Sequence, residues 1–323
     1  MKKTLVSIII PVFGRIEFFK LTLESIKMQT YSNWECIIVD DGSEKEELEI
    51  IKALISQDSR ISLLLRPEHK RKGANACRNI GIERAKGDFL VFLDSDDVLA
   101  SFCLEDRLKT IEKFPSRDFY VFNMAYLNNP DVLVNKYHNS KQENYLAQFL
   151  SNSPAWPITS LLVSNNVKVT FDEGLKRFQD VDYSIKLILG RLQYHLFKDI
   201  TPDCYYRVTE DSLSRVNNKG FIKKVVKSYC RLLNNVFKYG DNFLTKDELR
   251  KSVKRGYIDV FKTFILPHKK WMLFLSMLRV SFKFNILDFY SYYNLLMIMI
   301  YQSIGVQNVK GIGYHRISKI IRN

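Results

Sequence analysis

Apolar residues gather in short runs along the first hundred positions, and the runs alternate with stretches of helical period. Val6 to Val12 is a nearly continuous apolar run rich in β-branched residues, the pattern of a strand buried on both faces. Ile16, Phe19, Leu23 and Ile26 then recur at helical spacing. Trp34 to Val39, Ile61 to Leu65 and Phe89 to Leu93 predict three further strands. Ser43 with Glu46 reads as a capping box opening a helix whose Leu48, Ile51 and Ile55 share one stripe. A helix rich in small residues follows, from about Asn75 to Ala85, stopped at Lys86-Gly87. Strands and helices alternating at this spacing pair in parallel through right-handed crossovers. The expected class is therefore α/β, an open, mostly parallel sheet flanked by helices.

Past residue 100 the alternation loosens. Leu104, Leu108 and Ile111 mark a helix, and Phe119 to Phe122 a strand. Asn128 to Gln142 has no period and reads as loop, Trp156 to Val163 is extended or mixed, and Val181, Ile185 and Ile188 mark another helix. After about Val216 the pattern is helical, with many aromatics and lysines and no repeat. Charge sharpens that boundary. Residues 217–323 hold 20 Lys and Arg against 5 Asp and Glu, a balance of +15, which leaves residues 1–216 at −1 within the overall +14. Two regions are expected, a domain over 1–216 (halves 1–110 and 111–216) and a basic helical region over 217–323 that faces something anionic. The start, MKKTLVSIIIPVF, imitates a signal peptide, but Pro11 interrupts the run and no small-residue cleavage site follows. Five scattered cysteines without C-x-x-C pairs suit a reducing compartment, so a cytoplasmic protein is expected.

In an open parallel sheet, ligands bind beyond the carboxyl ends of the strands. Two acidic clusters fall there, Asp40-Asp41-Gly42-Ser43 after the second strand and Asp94-Ser95-Asp96-Asp97 after the fourth. Either alone reads more often as a solvated turn or helix cap. Two together, each ending a buried strand, suit a divalent cation bridged to a diphosphate. No G-x-x-x-x-G-K-[ST], G-x-G-x-x-G or G-x-S-x-G occurs, which removes the usual phosphate cradles and the hydrolase elbow.

Pro11-Val12-Phe13, Ser25 to Thr30, Asp40 to Ser43, Gly73 to Gly81, Lys86-Gly87-Asp88 and Phe92 to Leu99 together resemble the family 2 glycosyltransferases in order and spacing. The resemblance covers roughly the first 110 residues and implies a GT-A fold that binds a nucleotide-sugar donor. It implies that the backbone of the Pro11-Val12-Phe13 segment and the carboxylate of Asp41 hold the base, usually uracil. Asp94 would contact the ribose, and Asp96, with Asp94 and Ser95 beside it, would bind Mn²⁺ or Mg²⁺. Asp97 could share either role. Lys72, Arg78 and Asn79 fall in the segment lining the donor pocket, although Arg78 could instead pair with a sheet-end carboxylate. Phe178-Gln179-Asp180-Val181-Asp182 resembles the segment carrying the family's Glu-Asp pair, so Asp180 takes the place of the general base and Gln179 replaces the glutamate. Asp180 at a helix start would be favoured as the ionised form. Phe13-Gly14 stands where the family usually has Tyr-Asn. Tyr205 to Ser214, with Arg207 and Ser214, resembles its closing loop, and Trp156 reads as a sugar-stacking or a core residue.

The implied activity is inverting transfer of a single sugar from a nucleotide-diphosphate sugar, expected to be a UDP-sugar, to an acceptor hydroxyl. The Q-x-x-R-W signature of processive synthases is absent. The setting expected is surface-polysaccharide or lipid-linked glycan assembly; the other reading is a non-catalytic relative serving as an assembly subunit. Basic residues mixed with aromatics after residue 217 fit an anionic membrane surface, with a solvated helical lid as the alternative. Ile286 to Ile304 approaches the length of a span, but Asp288 and Asn294 favour a helix lying on the inner face of the membrane or in a core. No nucleic-acid partner is expected, for want of any recognisable motif.

Overall fold

The computed structural model describes residues 3–136, 145–150, 154–208, 219–239 and 245–304. Four strands, β1 (Val6–Val12), β2 (Trp34–Asp40), β3 (Ile61–Leu65) and β4 (Phe89–Phe92), alternate with α1 (Ile16–Lys27), α2 (Lys45–Ile55) and α3 (Ala74–Arg84). Val6 and Ile8 to Ile10 have no exposed surface, as a strand covered on both faces requires. β1 pairs in parallel with β2 on one side and β4 on the other, and β2 with β3. The chain continues through β5 (Val98–Leu99), α4 (Cys103–Ile111), β6 (Phe119–Val121), β7 (Met124–Tyr126), β8 (Asn129–Leu133), α5 (Tyr145–Leu150), β9 (Leu161–Ser164), α6 (Gln179–Leu189), β10 (Tyr194–Leu196) and β11 (Cys204–Tyr206). The main sheet runs β10-β6-β9-β4-β1-β2-β3, with β9 antiparallel to both neighbours. The chain reverses its direction of winding between β1 and β4, the switch point where such sheets open a crevice.

Three local expectations change. The capping box at α2 is formed by Glu44 and Glu47, because Ser43 is held in the preceding turn by Asp40. Residues 129–133 form β8 against β7 in a second sheet of order β5-β11-β7-β8, where a loop was expected. That pairing is made with a neighbouring strand and leaves no period in the segment itself; residues 137–142 of the expected loop lie outside the described residues. Arg107 on α4 ties the two sheets, its guanidinium wholly buried and hydrogen-bonded to Asp203 at 2.7 Å and to the carbonyls of Thr159 and Leu161.

The chain divides into two compact units. One comprises Met1–Lys141, Ala155–Leu175 and Gln179–Arg215, and the other Gln142–Pro154, Lys176–Phe178 and Val216–Asn323. The second unit is helical: α5, α7 (Lys219–Tyr239), α8 (Lys246–Val260), α9 (Trp271–Phe284) and α10 (Phe289–Ile304). Thr245 and Glu248 form a capping box that opens α8. Val225, Tyr229, Leu232 and Val236 line the buried face of α7. Among the described residues no helix is long and apolar enough to cross a membrane. The helix expected from Ile286 starts at Phe289, because Asp288 accepts the Ser291 amide and turns the chain there.

Candidate functional site

Parallel pairing brings the carboxyl ends of β1 to β4 to one edge, and the loops that leave them are laced together. Asp40 accepts the amides of Gly42 and Ser43 at 2.9 and 3.0 Å, and Gly42 adopts φ +95°, open to glycine without strain. The Gly14 amide donates to Ser43 Oγ at 3.1 Å, joining the β1 and β2 loops. Asp41 Oδ1 accepts from Arg66 Nε at 2.6 Å and from the Gly73 amide at 2.9 Å. Arg66 also donates to the Lys70 carbonyl at 2.7 Å, so it folds the 66–73 segment onto Asp41. Phe13 stands 53% exposed at the end of β1, with Lys72 Nζ 4.0 Å from its ring centroid. Pro11 and Val12 are buried within β1, and the Val12 carbonyl already accepts the Asp41 amide at 2.9 Å. Their side chains support the edge and do not open into it.

The loop after β4 carries the acidic cluster. Thr22 Oγ1 on α1 donates to the carbonyls of Asp97 and Ser95 at 2.7 and 3.1 Å, which pins the loop. Asp94 is ion-paired with Arg78 of α3. Asp96 is ion-paired with Arg15 at 3.0 Å, and its carbonyl accepts Arg207 Nε at 3.0 Å. Burial and the neighbouring Asp94 raise the Asp96 carboxyl, while Arg15 opposes the shift. Asp97 turns inward, only 2% exposed, and accepts the Arg207 amide at 3.1 Å. Burial, then repulsion from Asp94 and Asp96, pushes its carboxyl well above the ordinary range. Asp97 thus braces the loop from within.

Asp180 lies in the first turn of α6 and joins this cluster through Arg78. Arg78 is almost wholly buried, bonds Asp94, approaches Gln179 Oε1 at 3.5 Å and acts electrostatically on Asp180. The expectation that the helix start would favour the ionised form is reversed. Burial, with Asp94 adding to it, pushes the Asp180 carboxyl up to about 6 against the opposing pull of Arg78 and the Ile158 amide. Asp182 is buried and ion-paired to Lys186 at 2.7 Å, so it is no substitute base.

Other expected residues fall elsewhere. Asn79 is buried and clips the 171–173 segment through the Phe171 carbonyl and amide at 3.0 and 2.8 Å. Trp156 is a core residue, 1% exposed and packed against Phe119 and Tyr194. Ser214 lies outside the described residues. Arg15 and Arg66 were not anticipated. Arg66 immediately follows β3, so the strand-end rule that selected Asp41 also points to it. Arg15 meets Asp96 across 81 positions, and nothing local signals that contact.

Among the described residues no group of three or more His, Cys, Asp and Glu side chains gathers as a metal cage. The donors present still fit Mg²⁺ or Mn²⁺. Such an ion typically takes one or two carboxylates and completes its shell with phosphate oxygens and water. Asp94 and Asp96 supply hard oxygens, and Asp94 repels Asp96 across the loop while Arg15 offsets part of that charge.

Comparisons agree with this architecture. Residues 7–163 match the family model Glycosyl transferase family 2. An uncharacterized glycosyltransferase of Haemophilus influenzae is 42% identical over 108 residues, 33% of this chain and 42% of the relative. One from Methanocaldococcus jannaschii is 27% identical over 253 residues, 73% of this chain and 84% of the relative. The chain spans less than half the length of the first curated relatives it matches, 42% down to 18%. The crystal structure of residues 1–349 of S. aureus TarS in complex with UDP-GlcNAc superposes with a TM-score of 0.70 at 16% identity, covering 99% of this chain and 92% of that one. A mannosyltransferase from Pyrobaculum calidifontis, in complex with GDP-Man and Mn²⁺, gives 0.50 at 14% identity, covering 96% and 88%. The fold is GT-A.

Proposed function

We propose that this chain, whose residues 7–163 match glycosyl transferase family 2, is an inverting enzyme that transfers one sugar from a UDP-sugar to an acceptor hydroxyl. The observation that carries the proposal is the meeting of Asp94 and Asp180 at the buried Arg78, with Asp96 acting on Asp94 from the same loop, at the switch point of the sheet. Residues 1–216 form the catalytic domain in this reading and residues 217–323 the helical region.

Phe13, with Lys72 over its ring, offers a face on which a base stacks, and the Asp41–Arg66 pair fixes the loop beside it. Asp94 meets the ribose. Asp96, with Asp94 and Ser95 beside it, holds Mn²⁺ or Mg²⁺, which when bound neutralises charge on the departing diphosphate. Asp180 takes the proton from the acceptor hydroxyl as that oxygen attacks the anomeric carbon from the face opposite the leaving group. A carboxyl raised to about 6 suits this task, ionised at neutral pH yet more basic than an exposed aspartate. Arg78 holds Asp94 and opposes further protonation of Asp180, so one cation sets the electrostatics of both sides.

The UDP choice is supported by TarS, crystallised with UDP-GlcNAc and with UDP. The metal is supported by the mannosyltransferase, crystallised with GDP-Man and Mn²⁺. The acceptor we propose is a lipid-linked or other surface glycan at the inner face of the membrane, because the positive charge is concentrated after residue 217. A screen of nucleotide sugars for Mn²⁺-dependent hydrolysis tests the reading. Release of UDP from at least one UDP-sugar is expected. Release from GDP-sugars alone refutes the donor. Binding without hydrolysis or transfer identifies the non-catalytic assembly subunit.

A further inference from the structure

The helical unit presents two exposed stripes of opposite character. α7 contains no acidic residue, and Lys223, Lys227, Arg231 and Lys238 share one exposed face. On α9 the exposed positions Met272, Leu275, Arg279, Phe282 and Lys283 form a second stripe, opposite the buried Phe274, Met277 and Ser281. Met272 is 77% exposed and Phe282 81%. The stripes meet along one seam. Lys283 Nζ donates to Asn234 Oδ1 at 2.8 Å, and Asn234 lies within the basic arc of α7. Phe237 stacks on Phe284 beside it, with centroids 4.4 Å apart. α10 runs along α9, joined by Trp271 Nε1 to Ser303 Oγ at 2.8 Å, and opens with Phe289, 87% exposed.

Large apolar side chains standing in water between cations mark a surface that meets something both apolar and anionic. A soluble polyanion would answer the lysines and leave Met272, Leu275 and Phe282 without purpose. A second copy of the chain, apposed about a two-fold axis, would set the basic stripe against itself. A bilayer with anionic headgroups satisfies both halves, phosphates for α7 and the acyl boundary for α9. We propose that the α7–α9 face is a monotopic docking surface for an anionic lipid membrane. This deepens the membrane partnership proposed above and rests on it, with Met272, Leu275 and Phe282 as the inserting side chains.

The test is sedimentation of the full chain with phosphatidylcholine vesicles, with and without phosphatidylglycerol. Three variants are compared: wild type, the triple Lys227→Gln/Arg231→Gln/Lys238→Gln, and the triple Met272→Ser/Leu275→Ser/Phe282→Ser. Each basic residue near such a surface contributes about five-fold in partitioning, so the first triple should bind phosphatidylglycerol vesicles roughly 100-fold more weakly. The second should lose the fraction that high salt does not release. Thermal unfolding and nucleotide-sugar hydrolysis without vesicles monitor fold and donor site, so a failure of the enzymatic reading is seen separately. Equal binding to both vesicle types, or binding to neither, overturns the proposal. So does an apolar triple that binds vesicles like wild type, which would mark a polyanion surface. An apolar triple whose only change is a lower assembly mass would mark a contact between copies, and also overturns it.

Discussion

Replacing Asp180 with asparagine separates its chemical role from its cost to the fold. The side chain keeps its size and its place in the first turn of α6, but it can neither ionise nor accept a proton. Transfer should fall by roughly a hundred- to ten-thousand-fold, the range of a lost general base, with donor affinity nearly unchanged. Stability should move the other way. Burial holds the native carboxyl at about 6, above the 3.8 of an ordinary aspartate, so between those values the folded protein binds the proton more firmly than the unfolded chain. Stability from this group is therefore full below the lower value and is lost as pH rises through about 6. A carboxyl held at about 6 instead of 3.8 corresponds to a ceiling of about 3 kcal/mol. Asparagine escapes that loss. Asp180→Asn should unfold at higher temperature than wild type at about pH 8, while the two converge near about pH 4. Wild-type transfer should itself rise with pH through about 6 as the base ionises. Stopped transfer assays across pH, paired with thermal unfolding of both proteins, measure all three effects. A variant with wild-type turnover, or one less stable than wild type at neutral pH, refutes the reasoning.

Three further outcomes are expected. UDP should raise the unfolding temperature strongly only with Mn²⁺ or Mg²⁺ present, and Asp96→Ala should remove that synergy; equal stabilisation in excess chelator would reject the metal assignment. Arg107→Ala leaves Asp203 buried without its charge partner and should cost roughly 3–5 kcal/mol in urea unfolding; a loss under about 1 kcal/mol would show the pair to be dispensable. Gly87→Ala would set a methyl 2.6 Å from the Ser7 amide nitrogen and 2.8 Å from the Leu5 carbonyl, both backbone atoms unable to yield cheaply. It should destabilise by roughly 1–3 kcal/mol, and an unchanged melting curve would contradict that packing.

The alternation of β1 to β4 with α1 to α3 was legible because each element reports its own burial through its own period. The acidic loops were legible because parallel strands must deliver their ends to one edge, and Asp41, Asp94 and Asp96 sit directly after such strands. What periodicity cannot report is which distant group meets a given carboxylate. Arg15 reaches Asp96, Arg66 reaches Asp41 and Arg78 reaches Asp94 only through the folded sheet. The raised carboxyl of Asp180 likewise depends on its burial and on Asp94, against the opposing pull of Arg78 and Ile158, all supplied by other segments. The second sheet was hidden because β5, β7 and β11 are only two or three residues long and β11 meets β5 and β7 from a remote part of the chain. Asp97 and Trp156 show the same limit from the other side. A charged or aromatic residue in a functional stretch looks alike in sequence whether it faces ligand or core, and burial, a property of the whole fold, turned both of them inward.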